Sequence, residues 1–352
     1  MIPLAFCTNH RGDGYAGHTG DRPDIEESFR INRSYSDGRI LSGVRAGQKE
    51  RFIMNTLNGK VAVVTGASRG LGKAIATLFA QEDAKVVLAA RSQKDIEQVA
   101  TELQTGGHAA VPFTCDVSDP QQVEALARFA ISTYGHFDVW VNNAGVAGPY
   151  GATFDLAPEQ FLSVLRTNMF GVYHGSRMAM RHFLPRKSGK LINILGAGSK
   201  KPAPNQNAYG STKAWIRVFT LALAAETRHS GVGVFVLQPG LMDTDLLTEV
   251  VTFQEHEKRL RNFMPLLIRA AGKKPEVAAR KALWLASSAT DGKTGLDVSV
   301  GSSLSFLLGF LREGLRRLLR LPNRPVAMNV KVISSAFEPL PDIASNDLNL
   351  KN

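Results

Sequence analysis

Tyr209 and Lys213 stand four residues apart. If they share a helix, they form a proton-transfer pair. A phenol ionises near pH 10 and is a weak acid–base group at neutrality. An ammonium one helical turn away lies on the same face. Its charge favours phenolate, which lowers the phenol pKa and makes the group usable as general acid or base. A second run, Thr65-Gly66-Ala67-Ser68-Arg69-Gly70-Leu71-Gly72-Lys73, is suited to anions. Its glycines permit a tight turn and a close approach of backbone to phosphate. A helix starting there would aim its free N–H groups and positive dipole end at the same point.

These groups need elements to place them. Short apolar runs occur at Val61 to Val64, Lys85 to Ala90, Ala109 to Thr114, Val139 to Asn142, Leu191 to Leu195 and Gly233 to Gln238. Continuous apolar runs suit parallel strands covered on both faces. Between them lie helix-period stretches at Gly72 to Gln81, Gln93 to Leu103, Gln121 to Thr133, Pro158 to Phe183 and Ala208 to His229. The alternation predicts an α/β fold, a Rossmann doubly wound parallel sheet with right-handed crossovers. The glycine-rich run falls between its first strand and first helix, and the Tyr–Lys pair falls on a helix. The pattern predicts a single main domain over 54–301, with extensions over 1–53 and 302–352.

The end of the second strand reads Ala89-Ala90-Arg91-Ser92, with no carboxylate to bind ribose hydroxyls. Arg91 and Arg69 are placed to pair with a 2′-phosphate. The expected cofactor is NADP(H), with NAD(H) as the alternative.

Composition narrows the classes. The 352 residues carry a formal charge of +11 and 44% hydrophobic residues. Such a charge reads as scattered surface lysine and arginine or as a basic surface for a polyanion; nothing beyond it points to nucleic acid. Cys7 and Cys115 lie far apart, match no metal-ligand spacing and argue against a disulfide framework. No metal is expected, and a reducing, cytoplasmic setting fits. No apolar run is long enough to span a bilayer. Residues 1–53 lack strand or helix periodicity and read as a disordered extension, or as a misassigned start upstream of Met54. In the tail, Leu307, Phe310, Leu311, Leu315, Leu318 and Leu319 recur at helical spacing, with Arg312, Arg316, Arg317 and Arg320 between them. This basic amphipathic helix has two readings. It packs on its own domain or a neighbouring subunit, or residues 304–321 contact a membrane surface.

Taken together, these motifs resemble the short-chain dehydrogenase/reductase family, closely from Leu57 to Asp245 and fading toward Gly301. The resemblance implies that Asp116 and Val117 contact adenine. It implies that Asn142-Asn143-Ala144-Gly145 stabilises the central sheet and lines the cofactor. Asn168 would help hold a water in a proton relay. Tyr209 to Lys213 is the YxxxK motif, with Lys213 also holding the nicotinamide ribose. Pro239, Gly240 and Thr244 would contact the carboxamide. Gly66, Ser68, Arg69, Gly70, Leu71 and Gly72 would cradle the phosphates. The implied activity is hydride transfer between nicotinamide and a carbonyl or secondary alcohol.

One position departs from the family. Thirteen residues before the tyrosine, where a serine hydroxyl usually polarises the substrate oxygen, stands Gly196. Loss of one such donor costs about 2.7–4 kcal/mol of barrier. Ser199, a backbone N–H of the 196–198 turn or an ordered water could substitute. The alternative is a cofactor-binding regulatory protein with weak turnover. Leu241 to Pro265 is expected to be a flexible substrate-covering segment. Its Met242, Leu246, Leu247, Val250, Phe253 and Phe263 suggest an apolar substrate. The helices carrying Asn168 and Tyr209 are expected, by resemblance, to pair in a homodimer or homotetramer.

Overall fold

The structure is a computed structural model that describes residues 56–301, 303–319, 321–322 and 325–338. The described residues belong to one compact unit, Ile53–Asn352. The expectations for residues 1–53, the proposed start at Met54, and Arg320 fall outside them.

A seven-stranded parallel sheet runs in the order β3-β2-β1-β4-β5-β6-β8. Its strands are β1 (Val61–Thr65), β2 (Lys85–Ala90), β3 (Ala110–Thr114), β4 (Val139–Asn142), β5 (Gly189–Ile194), β6 (Val232–Gln238) and β8 (Asp297–Ser299). The pleat explains the apolar runs. Along β1, Val61 and Val63 face one helical layer, while Ala62 and Val64 face the other. One layer is α1 (Gly70–Gln81), α2 (Gln93–Thr105) and α9 (Pro275–Ala286), which bring Ile75, Phe79, Ile96 and Leu285 onto the sheet. The opposite layer includes α3 (Pro120–Tyr134) and α5 (Gly171–Arg186), which pack Leu126 and Phe183 against Trp140 and Leu191. Burying side chains of this size contributes about 1.5–3 kcal/mol each.

Local chemistry sets the helix ends. The Ser92 hydroxyl accepts from the Asp95 N–H at the start of α2. The Asp119 carboxylate accepts from the N–H groups of Gln121 and Gln122, with Pro120 at the first position of α3. The single long helix expected over Pro158–Phe183 is interrupted. It comprises α4 (Pro158–Leu165), a π turn (Arg166–Phe170) and α5.

The greatest departure from expectation lies after β6. Leu241–Pro265, expected to be a flexible substrate-covering segment, is built of regular elements. It contains a short helix α7 (Asp245–Thr248), strand β7 (Glu249–Phe253) and most of α8 (Gln254–Ala271). Strand β7 pairs in parallel with β9 (Asn329–Ile333), from Glu249 beside Asn329 to Phe253 beside Ile333. Period reading missed α8 and α9 because charges crowd the first half of α8, Pro265 interrupts its second half, and α9 is alanine-rich.

The tail helix α10 (Ser303–Leu318) packs on α8 with its faces reversed from expectation. Gly309 and Glu313 turn inward, while Leu307, Leu308, Leu311, Leu315 and Leu318 are each more than half exposed. A Cβ at Gly309 would lie 1.9 Å from the Ala270 carbonyl oxygen, so only glycine lets the two backbones meet. The buried Glu313 carboxylate accepts from Arg269 Nε at 2.8 Å. No described helix is both long and apolar enough to cross a membrane.

Candidate active site

The strand order reverses between β1 and β4, and open parallel sheets bind ligands at such a switch point. The glycine-rich turn leaves β1 at that crevice. Gly66 has φ +65° and Gly70 φ +55°. A Cβ on Gly72 would lie 2.1 Å from the Gly66 carbonyl oxygen, and one on Gly66 would lie 2.8 Å from Ala144 Cα. The turn is tied to β4 from below. Asn143 Nδ2 donates to the carbonyls of Thr65 at 2.9 Å and Gly66 at 3.1 Å. Thr65 Oγ1 accepts from the N–H groups of Asn143 and Ala144. No side chain caps the start of α1, and no acid occupies its first turn. That cradle suits a pyrophosphate: open N–H groups, a positive dipole end and no Cβ in the way.

Ser68 and Leu71 lie in the turn and the first turn of α1, as expected. Arg91 is exposed at the end of β2. Arg69 is not left open for a phosphate. Its Nη1 lies 2.9 Å from Glu249 and 3.4 Å from Asp245, both on the segment that follows Thr244. Thr244 itself sits over the turn, its methyl 3.5 Å from where a Gly70 Cβ would stand. Gly240 has φ +76° just after Pro239, at the carboxyl end of β6. Asp116 follows β3, and one of its carboxylate oxygens accepts from the Ser118 N–H and hydroxyl. Val117 is buried.

Tyr209 and Lys213 share α6 (Asn207–Glu226), with Lys213 Nζ 5.4 Å from the ring centre. Both are buried. Lys213 donates to the Ile194 carbonyl at 3.1 Å. Asn168, fully buried in the π turn, accepts from the Val146 N–H at 2.9 Å. Its amide donates to the Val146 carbonyl and to Thr212 Oγ1. A Cβ on Gly145 would meet Asn168 Oδ1 at 3.2 Å and Lys213 Nζ at 3.7 Å. The Asn143–Gly145 segment, Asn168 and the Tyr–Lys helix therefore converge at one place. π turns are enriched at such sites.

The protein's own groups do not depress the phenol, and the expected lowering draws also on the cationic nicotinamide of the oxidised cofactor. Burial pushes Tyr209 up to about 12 and Lys213 down to about 8. The physical reason is shared desolvation, which disfavours the charged form of both groups. In this environment the phenol is held as an acid and the ammonium is weakened.

Gly196 has a steric role that the sequence did not reveal. A Cβ there would lie 2.0 Å from Tyr209 Oη. The phenol end occupies the space that a side chain at 196 would need. Gly198, with φ +95°, plays a similar part: its Cβ would fall 2.2 Å from Gly210 Cα, so the loop backbone rests on α6. Ser199, the hydroxyl expected to substitute, donates to Gln238 Oε1 at 3.2 Å. Sequence reading also missed the polar chain beneath the site. Asn142 Nδ2 donates to Asn193 Oδ1 at 2.9 Å, and Asn193 donates to Thr220 at 2.8 Å. Two asparagines inside apolar strand runs were the signal.

With this geometry in hand, comparison with known proteins is direct. The family model for short chain dehydrogenase matches residues 60–255, and the chain belongs to that family. It is 34% identical over 258 residues to 3beta-hydroxysteroid dehydrogenase 1 of Eggerthella lenta, covering 72% of this chain and 97% of that protein. A 3-ketoacyl-(acyl-carrier-protein) reductase from Brucella melitensis, solved with NADH, superposes with TM-score 0.63 at 32% identity, over 71% of this chain and 99% of that one. A Beutenbergia cavernae protein solved with NADP matches with TM-score 0.63 at 28% identity, over 73% and 99%. The chain is a nucleotide-binding oxidoreductase that transfers hydride with a nicotinamide cofactor, and its homologues act on small molecules.

Proposed function

We propose that the protein is an NADP(H)-dependent reductase or dehydrogenase of an apolar carbonyl or secondary alcohol, with Tyr209 as proton donor and acceptor. The observation that carries this is the convergence of Tyr209, Lys213 and Asn168 beside Gly145, at the switch point where the phosphate cradle opens. A bound nicotinamide supplies or takes the hydride. The protein's side chains handle the proton. Tyr209, a phenol at neutral pH, donates to the substrate oxygen in the reductive direction. Lys213 keeps a positive charge beneath the ring and is placed to hold the ribose. Asn168 braces the Val146 backbone and the Thr212 hydroxyl of the same helix. The phosphates would be held by Gly66, Ser68, Gly70, Leu71 and Gly72, the adenine end by Asp116 and Val117, and the carboxamide end by Pro239, Gly240 and Thr244.

For the 2′-phosphate, Arg91 is the stronger candidate, because Arg69 is engaged by Glu249 and Asp245. The apolar-substrate reading draws on the steroid dehydrogenase relative. Within Leu241–Pro265 it rests on the exposed Leu246 and Phe263 and the half-buried Leu247 and Val250, since Met242 and Phe253 are buried in the core. Fluorescence titration with NADPH and NADH, then turnover on ketosteroids and other carbonyls, tests the whole reading. Tyr209→Phe with full activity on a substrate so found would exclude the proton role.

Gly196 favours a second reading, a cofactor-binding regulator without much turnover. Saturable NADPH binding with no conversion across that panel would establish it.

Two partner readings follow from exposed apolar surface. Phe170, Tyr173 and Val218 are exposed on the π turn, α5 and α6, which supports self-association through these elements. Val218→Glu should halve the mass measured by light scattering. The outward leucines of α10, with exposed Arg312 and Arg317 on the same helix, support docking on an anionic membrane surface. The expected result is co-sedimentation with phosphatidylserine vesicles, lost at high salt and in Leu311→Asp. Dimer loss in Leu311→Asp without any vesicle binding by the parent would assign that face to a second copy instead.

A further inference from the structure

Among the described residues, Asp155, Glu255 and His256 each turn a potential ligand atom toward a common point, all within 4.8 Å of one another. Asp155 ends a short 3-10 turn (Thr153–Asp155) after the Asn143–Gly145 loop, and the other two open α8. A cluster of acids alone means little, but this one contains unmet valences. Asp155 is 7% exposed. Its Oδ1 accepts from Ser335 Oγ at 2.6 Å, while its Oδ2 is buried with no hydrogen-bond partner. His256 Nε2 is likewise buried and unpartnered. Glu255 Oε1 lies 2.9 Å from it, but not in hydrogen-bonding alignment. The Tyr150 ring meets the imidazole edge-on at 5.7 Å and fixes its plane.

A buried carboxylate without a cation is costly unless its charge is met. No described lysine or arginine pairs with Asp155. We infer that Asp155, Glu255 and His256 form a binding site for a divalent transition-metal ion, with zinc as its natural probe. The donor set argues for that class. One imidazole nitrogen and two carboxylates neutralise a dication and suit zinc better than magnesium, which avoids imidazole. Metal–ligand bonds of about 2.0–2.2 Å require the ligand atoms to adjust their spacing. Glu255, whose side chain is 64% exposed, is free to make that move. The sequence hid the site because its ligands come from positions 155, 255 and 256, with no motif spacing.

A metal here would join two separate stretches of chain. Asp155 also accepts from the Ala336 N–H through its main-chain carbonyl, so the exit of β9 is tied to the same point. The inference does not depend on the hydride-transfer reading.

The test uses the full-length protein after chelator treatment, titrated with zinc sulfate by calorimetry and followed by thermal melting. The expected result is one tight site per chain and a higher Tm with zinc, with magnesium chloride giving neither. Asp155→Asn keeps the oxygen that accepts from Ser335, and His256→Gln keeps a polar side chain. Each should weaken zinc binding by more than about 100-fold, the upper end of what an outer-shell loss costs. Each should leave NADPH titration unchanged, which controls for folding. Equal zinc uptake by parent and Asp155→Asn would overturn the site. So would no zinc heat together with a histidine pKa in the parent that falls in Asp155→Asn, which would make the cluster an imidazolium–carboxylate pair.

Discussion

The cofactor half of the molecule and the region from Leu241 to Glu338 keep their shapes by different means. In the first, glycines and backbone contacts dominate. Gly66, Gly72, Gly198 and Gly210 stand where main chain meets main chain, and any side chain would break the contact. In the second, side-chain pairs join such contacts: beside Gly309 against Ala270 stand Arg69 to Glu249, Arg269 to Glu313, and Ser335 to Asp155. Backbone contacts leave few acceptable residues at a position, whereas side-chain pairs can be replaced by other pairs. The difference teaches why one half follows a family pattern and the other does not announce itself.

The largest effects are expected at the chemical centre. Tyr209→Phe should lower kcat by about 10²–10⁴-fold, the range of a lost acid–base group, with NADPH affinity retained. Steady-state kinetics beside fluorescence titration checks this. Gly196→Ala should also be severe, by about 10²-fold, because the new Cβ must push the phenol by an ångström or more. Gly196→Ser is expected to fall with it rather than restore a hydroxyl. A rise in turnover for the serine variant would show that the phenol relocates freely.

In the second region, removing one partner of a buried ion pair leaves the other charge uncompensated. Glu313→Ala should destabilise by about 3 kcal/mol, read by urea unfolding, with kcat little changed. A much smaller loss would mean that α10 is held by something other than that pair.

Lys213 sharpens the contrast through pH. Its folded pKa is about 8 against 10.5. Between these values the unfolded chain holds a proton that the folded chain has lost, so stability rises with pH there. The penalty is full below pH 8 and is relieved as pH climbs toward 10.5. The Tm of Lys213→Met relative to the parent should therefore decline across that window. A pH-independent difference would place the lysine pKa elsewhere.

The smallest effect concerns Arg69. Glu249→Gln should tighten NADPH about two- to fivefold, with NADH unaffected, because the exposed pair that competes for the guanidinium contributes no more than about 1 kcal/mol. Equal changes for both nucleotides would remove Arg69 from 2′-phosphate recognition.

Six of the seven sheet strands and the phosphate turn were legible because buried parallel strands write continuous apolar runs and the turn writes glycines; the three-residue, half-buried β8 wrote no such run. Strand β5 begins two residues earlier than the run Leu191 to Leu195, since Gly189 and Lys190 pair at its half-buried start. The convergence of Asn168, Gly145 and Tyr209 was readable only through family resemblance, because spacing along the chain says nothing about which helix faces which. Periodicity located α10 but not its orientation. The reason is local: Glu313 needed Arg269, and the close backbone approach at Gly309 fixed the inward face. The position of the Tyr209 hydroxyl over Gly196 left no mark in the sequence beyond a glycine where a hydroxyl was expected.

Strand β7 pairs with β9 across a long stretch of chain. Residues 249–253 find their hydrogen-bonding neighbour some eighty positions later in the chain. A protein trimmed to the stretch that the family shares would end with β7 stripped of that neighbour, its amides and carbonyls bare along one side. Bare strand margins recruit other molecules. Shortening this chain is therefore a route to clumping during expression, and the tail acts as a cover stitched over a sticky seam.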